Sequence, residues 1–238
     1  MSAAQIIGVV ALLIAVVQIA AMGFIGYPIA RRRPGGMAAF RRSGFTWWLG
    51  ILVAVSVVAL IVNPDTRSVW YPSSHGDSVT RFLVGAGVGL VIMVLIELGG
   101  ERVMFGERDS ESRIAANAKY EGALPIWARG GTTQLGLLAL VALLEEFIFR
   151  NVALGSLWYE WELPKAVAAG LVTVAFGFAH WYYGFRQIAL KLVVGSVLTW
   201  AALTGGWLAA AVAHMAGNIC LTLISQHRAS RPTQDSGP

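Results

Sequence analysis

Three ionisable side chains, Glu145, Glu146 and Arg150, stand inside the predominantly apolar run from Gly136 to Leu157. A run of that length crosses a bilayer as one helix, and charge near its centre is costly unless it faces a bundle interior or a water-filled cavity. On a helix Glu146 and Arg150 are i and i+4, with the acid N-terminal to the base, the better order for an ion pair. Glu145 lies about 100° round the same helix. Arg150 can therefore neutralise Glu146 and leave Glu145 for chemistry; the plainer alternative is that both acids bridge neighbouring helices.

The rest of the chain agrees with a membrane setting. Of 238 residues, 56% are hydrophobic and 13% charged, with a mean hydropathy of +0.64, against about a quarter charged in soluble domains. The net charge of +5 does not point to nucleic acid, because the basic residues form no face or arm and sit beside apolar runs as topology signals do. The single cysteine, Cys220, has no partner for an intramolecular disulfide and reads as a small apolar residue.

Seven apolar runs predict an all-α, polytopic bundle of about seven transmembrane helices. The first, Ile6 to Ile29, is followed rather than preceded by its charges, Arg31 to Arg33, and so reads as a retained span, not a signal peptide. The second runs from Phe45 to Val62. The third, Phe82 to Leu98, carries Gly85, Gly87 and Gly89, which would admit a close neighbouring helix. A polar segment, Gly99 to Gly131, is either one interfacial helix or a solvated loop. Thr132 or Thr133 would cap the fourth span, and Pro164 opens a fifth, Lys165 to about Tyr183. The sixth is Ile188 to Leu203 and the seventh, after Gly205-Gly206, is Trp207 to Ile224, with a disordered tail from His227 to Pro238.

One side of this topology collects Arg31, Arg32, Arg33, Arg41, Arg42, Arg102, Arg108, Arg113, Lys119, Arg129, Arg186, Arg228 and Arg231, the other only Arg67, Arg81 and Lys165. The richer side is expected in the cytoplasm, with the N-terminus outside and the C-terminus inside. Tryptophans and tyrosines such as Trp70, Trp158 and Trp181 fall near span ends, as in interfacial belts.

Two of the four histidines lie in spans, His180 in the fifth and His214 in the seventh, where Asn218 follows one turn later. A lone histidine in an apolar helix is usually a core hydrogen bond. Two histidines, an asparagine and a second glutamate on three spans need partners that a dry bundle does not supply. Together they offer a general base or metal ligand and donors for a developing oxyanion.

Glu145-Glu146-x-x-x-Arg150, Phe176-x-x-x-His180 and His214-x-x-x-Asn218, in that order on successive spans, resemble the three motifs of the CAAX-protease and bacteriocin-processing family of intramembrane endopeptidases, which includes the type II CAAX prenyl proteases. The resemblance covers about Leu135 to Leu223 and leaves the first three spans unassigned. It implies that Glu145 and His180 activate water, that His214 and Asn218 complete the site, and that Glu146, Arg150 and Phe176 support it. It implies a membrane-associated peptide or protein substrate, prenylated or bacteriocin-like, and lipids as surroundings. The expected organisation is an N-terminal region of three spans and a cytoplasmic segment (1–131), a catalytic four-span region (132–226) and the tail (227–238), with a cavity opening to the cytoplasmic side.

Two chemistries are open. Glu145, His180 and His214 would bind a divalent ion such as zinc, or Glu145 would act as a metal-free base. The rivals from other classes are a transporter or proton relay built on buried Glu and His residues, and a catalytically silent peptide-binding immunity protein.

Overall fold

A computed structural model describes residues 1–20, 24, 27–32, 44–62, 78–105, 131–181 and 185–229. Every regular element among them is helical: α1 (Ala3–Leu12), α2 (Ile14–Ala20), α3 (Tyr27–Arg31), α4 (Gly44–Val62), α5 (Ser78–Phe105), α6 (Gly131–Glu146), α7 (Lys165–Phe178), α8 (Phe185–Gly205) and α9 (Trp207–Ala229). Two π-helical stretches, Phe147–Ala153 and Ser156–Glu160, continue α6. The all-α bundle expected from the sequence is what the chain forms.

Local chemistry sets the boundaries. Ser2 and Gln5 form a reciprocal capping box at the start of α1. Pro164 stands at the N-cap of α7, and Gly206, at φ 85°, breaks the chain between α8 and α9. Other boundaries differ from expectation. The first apolar run is divided between α1 and α2 at Leu13, and α6 begins at Gly131, so Thr132 and Thr133 lie inside its first turn rather than capping it. Helix α7 stops at Phe178, and His180 follows it in a turn closed by an N–H bond to the Gly177 carbonyl at 3.1 Å. Helix α9 runs on to Ala229, past the expected start of the tail. The segment 106–130, with the proposed interfacial helix, and the tail from 230 lie outside the described residues.

Three helices, Ser78–Gly100, Phe185–Gly205 and Trp207–Ile224, are long and apolar enough to cross a membrane, and the apolar helices Ala3–Leu12, Thr46–Val62 and Lys165–Phe178 are shorter. Their exposed faces are apolar too: on α5, Leu83, Val91 and Leu95 face outward while Ala86, Met93 and Glu97 face inward. Helices apolar all round suit lipid rather than water.

Small residues set the spacing of α5, α8 and α9, as expected where lipid tails compete for every apolar contact. A Cβ on Gly85 would lie 2.9 Å from the Ala201 carbonyl oxygen, and one on Gly89 3.2 Å from Ala201 Cβ, whereas Gly87 has open space around it. At the opposite end of α5 a Cβ on Gly100 would meet Leu190. Helix α1 crosses the π-helical region with similar closeness, Gly8 lying against Ser156, whose hydroxyl donates to the Ala4 carbonyl at 3.0 Å. The Gln5 amide donates to the Glu160 carbonyl at 3.0 Å, so the chain's start and the end of the fourth run share one end of the bundle.

The glycines differ in a way that stability measurements will read. Gly85→Ala forces a methyl against backbone atoms of α8, which cannot yield as a side-chain tip can, and should cost about 1–3 kcal/mol. Gly87→Ala, with nothing within 4 Å, should be neutral or gain up to about 1 kcal/mol from helix propensity. Thermal unfolding of the two variants in detergent checks the contrast.

Candidate active site

The fourth run delivers its acids where α6 gives way to the π-helix, and the residues of the junction, Glu145 to Ala153, are all buried. π-helical turns frequently mark functional sites, because widening the helix re-aims side chains. Glu146 and Arg150 pair as the sequence predicts, with Arg150 Nη1 3.1 Å from Glu146 Oε1 and both side chains fully buried. Arg150 does more than neutralise: its Nη2 donates to the Gly195 carbonyl on α8 at 3.1 Å, and its guanidinium lies 4.3 Å from the centre of the Phe176 ring.

The same oxygen, Glu146 Oε1, also holds His214 Nδ1 at 2.8 Å. A carboxylate paired with arginine can only accept, so Nδ1 carries the proton of that bond, and Glu146 fixes the ring of His214 as orienting carboxylates do. The sequence reading gave Glu146 to Arg150 alone; the structure makes it the link between Arg150 and His214.

His214 Nε2 then faces the second glutamate, 3.9 Å from Glu145 Oε2. The other oxygen of Glu145 is taken. Trp48, buried on α4, donates its indole N–H to Oε1 at 2.8 Å. Glu145 is thus not the unpartnered acid that the sequence suggests, although its partner is neutral.

Phe176 joins the remaining residues. Its ring is fully buried and packs edge-on against Phe149 at 5.4 Å and His214 at 5.9 Å, and tilted against His180 at 4.9 Å, between ring centres. Its carbonyl lies 2.9 Å from His180 Nδ1. A carbonyl cannot donate, so the proton of His180 is on Nδ1 and Nε2 carries the lone pair. Gly195 is what admits the ring, since a Cβ there would sit 2.9 Å from Phe176 Cδ1. Asn218 stands one turn beyond His214, half-buried, with its backbone carbonyl accepting from the Thr222 hydroxyl at 2.7 Å.

The sequence reading missed three residues around this cluster. Trp48 carries no signal that separates it from an interfacial tryptophan. Glu97 on α5 and Lys191 on α8 form an ion pair within the bundle, and Lys191 is close enough for its charge to act on both Glu145 and His180. Both interrupt apolar runs and meet the criterion that singled out Glu145.

Among the described residues no three of His, Cys, Asp and Glu converge as a ligand set. The bonds to Trp48 and Glu146 use Glu145 Oε1 and His214 Nδ1 and leave Glu145 Oε2 facing His214 Nε2.

The shared carboxylate gives a testable asymmetry. Arg150→Lys keeps the charge but cannot reach Glu146 and Gly195 with two fixed donors, and Glu146→Ala strands the guanidinium. Glu146→Ala should lower stability by about 3–5 kcal/mol, the cost of breaking a buried pair, and should lower activity as well because His214 loses its anchor, whereas Arg150→Lys should cost less stability and leave His214 on Glu146. Thermal unfolding and peptide turnover measured on the same samples check both effects.

Comparison with known proteins meets this geometry at one point. No curated protein and no solved structure matches the chain. Residues 132–220 match the family model described as type II CAAX prenyl endopeptidase Rce1-like. That stretch contains Glu145, Glu146, Arg150, Phe176, His180, His214 and Asn218, and excludes Trp48 and Glu97. Over residues 132–220 this integral membrane protein is similar to the type II CAAX prenyl endopeptidases.

Proposed function

We propose that the protein hydrolyses a peptide bond of a membrane-associated substrate, prenylated at a CAAX-type end or bacteriocin-like, with Glu145 as a metal-free general base. The observation that carries this reading is the 3.9 Å separation of Glu145 Oε2 and His214 Nε2 in a buried space. That gap is too long for a direct hydrogen bond and suits a bridging water.

In the reaction, Glu145 Oε2 takes one proton from the water, whose other hydrogen is held by the lone pair of His180 Nε2. The water oxygen bonds to the scissile carbonyl carbon, and the carbonyl electrons move to oxygen. His214, held by Glu146 at Nδ1, and Asn218 stabilise that oxyanion. Collapse of the intermediate breaks the C–N bond, and the leaving amine takes the proton from Glu145. Phe176, Glu146 and Arg150 hold the two imidazoles in place.

The catalytic unit proposed is 132–226, in a chain of seven crossings with its N-terminus outside and its C-terminus in the cytoplasm. Trp48 lies only four residues into α4, about 6 Å along the axis. Its bond to Glu145 therefore supports a site near the end of α4 that follows the basic linker, the cytoplasmic end in this topology.

Glu145→Gln keeps an acceptor for Trp48 and loses the base, so it should abolish turnover while leaving the melting temperature near that of wild type; His180→Ala and His214→Ala should also be inactive. Turnover of a prenylated, fluorescence-quenched peptide in liposomes checks all three, and wild-type turnover in any of them overturns that residue's role.

Asn218 distinguishes the two chemistries. Loss of one oxyanion donor costs about 10² to 10³ in rate, so Asn218→Ala should fall by that much and Asn218→Asp further, because it places a negative charge beside a developing one. A metal ligand would behave in the opposite way. Chelation should leave the wild-type rate unchanged, and metal analysis of the purified protein should find no stoichiometric ion.

A further inference from the structure

We infer that Trp48 is a positioning residue for Glu145: its indole N–H holds Oε1 and so assigns the proton-accepting role to Oε2. The inference rests on the general-base reading of Glu145 and adds a residue from outside the matched region, 97 positions away in the chain.

An indole N–H donates and never accepts, so the 2.8 Å bond to Oε1 is made to a lone pair of that oxygen. With Oε1 engaged, the carboxylate cannot rotate about its terminal bond without losing the contact. Oε2 is thereby held 3.9 Å from His214 Nε2. A water at about 2.8 Å from both atoms fits that gap from the side, with one hydrogen directed at Oε2. If the carboxylate rotated, the water would lose its acceptor.

The two neighbouring glutamates are held by opposite means. Glu146 is gripped by a guanidinium and an imidazole, which use its negative charge. Glu145 is gripped by a neutral donor, which orients the group and leaves its full charge available for a proton. An arginine or lysine in place of Trp48 would fix the same oxygen and neutralise the base. The α4 helix brings the indole in as a rigid, buried plane with few rotatable bonds, so the bond is not made by a side chain that wanders.

The competing explanation is that a buried indole needs an acceptor and Glu145 happens to supply it. In that case removing the N–H affects folding stability and not turnover. Two measurements on the full chain in detergent or liposomes separate these. The first needs no substrate: with ¹⁵N-labelled tryptophan, the indole resonance that disappears in Trp48→Phe should be slow to exchange and should move in Glu145→Ala. A resonance indifferent to Glu145→Ala overturns the contact.

The second is kinetic, with a prenylated, fluorescence-quenched peptide. Trp48→Phe should lower kcat about 10- to 100-fold, as loss of an orienting partner does for metal ligands, with KM and melting temperature little changed. It should add nothing to the defect of Glu145→Gln. Trp47→Phe, a half-buried neighbour turned away by about 100°, should be unaffected. If Trp48→Phe does not fold, benzothienylalanine at position 48 keeps the bicyclic shape and replaces the N–H by sulfur. Wild-type kcat in the folded variant, or a loss that follows melting temperature, overturns the positioning role. Failure of the wild-type protein to cleave the peptide would instead count against the endopeptidase reading, and the indole resonance would still decide whether Trp48 holds the carboxylate.

Discussion

Glu146 Oε1 is the atom on which the packing of the C-terminal helices turns. It accepts from Arg150 at 3.1 Å and from His214 at 2.8 Å, joining the fourth run to α9, while the second arm of Arg150 reaches the Gly195 carbonyl on α8. Three helices are thereby tied to one buried ion pair. In lipid there is no water to take over any of these bonds, so each partner must be present for the others to be tolerable. The aromatic packing follows from the same constraint, because Phe176 covers the guanidinium at 4.3 Å and can do so only where Gly195 leaves space.

In the proposed reaction the two adjacent glutamates have different duties. A carboxylate that anchors an arginine and a histidine has its charge spent on structure, and protonating it would loosen all three helices. A carboxylate that accepts a proton in every cycle must hold its position in both states. A neutral donor such as the Trp48 indole is suited to that duty, since its bond to an oxygen lone pair does not require the other oxygen to be charged. Placing the two acids side by side lets one orient His214 from the Nδ1 side while the other faces Nε2.

The site was legible in the sequence where residues lie close along one helix or interrupt an apolar run. Glu146 and Arg150 are i and i+4, and their pairing follows from that spacing alone. His180, His214 and Asn218 were conspicuous because polar groups in spans need partners. What was hidden is what helix packing decides. The spacing of Glu146 could not tell that it would share one oxygen between Arg150 and His214, 68 residues later. Nothing in the sequence sets Trp48 apart, because tryptophans gather at span ends for a different reason. Apolar periodicity likewise marked the fourth run without indicating that α-helix passes into π-helix at Phe147, or that α7 stops short of His180.

Hydrolysis inside a bundle needs a route for water as well as a base. Exposure across the cluster falls in one direction: His180 and Asn218 are half-buried, Glu145 and His214 retain 4% and 3% of their surface, and Glu146 none. In the proposed reaction, water approaching from the His180 and Asn218 side would meet Glu145 and His214 before the ion pair of Glu146 and Arg150. The ending of α7 before His180 assists this order. A histidine in the turn beyond a helix is less enclosed than one within it, yet its Nδ1–H remains fixed on the Phe176 carbonyl. The ring of Phe176, in contact with Arg150 and with both histidines, joins the buried ion pair to the two imidazoles.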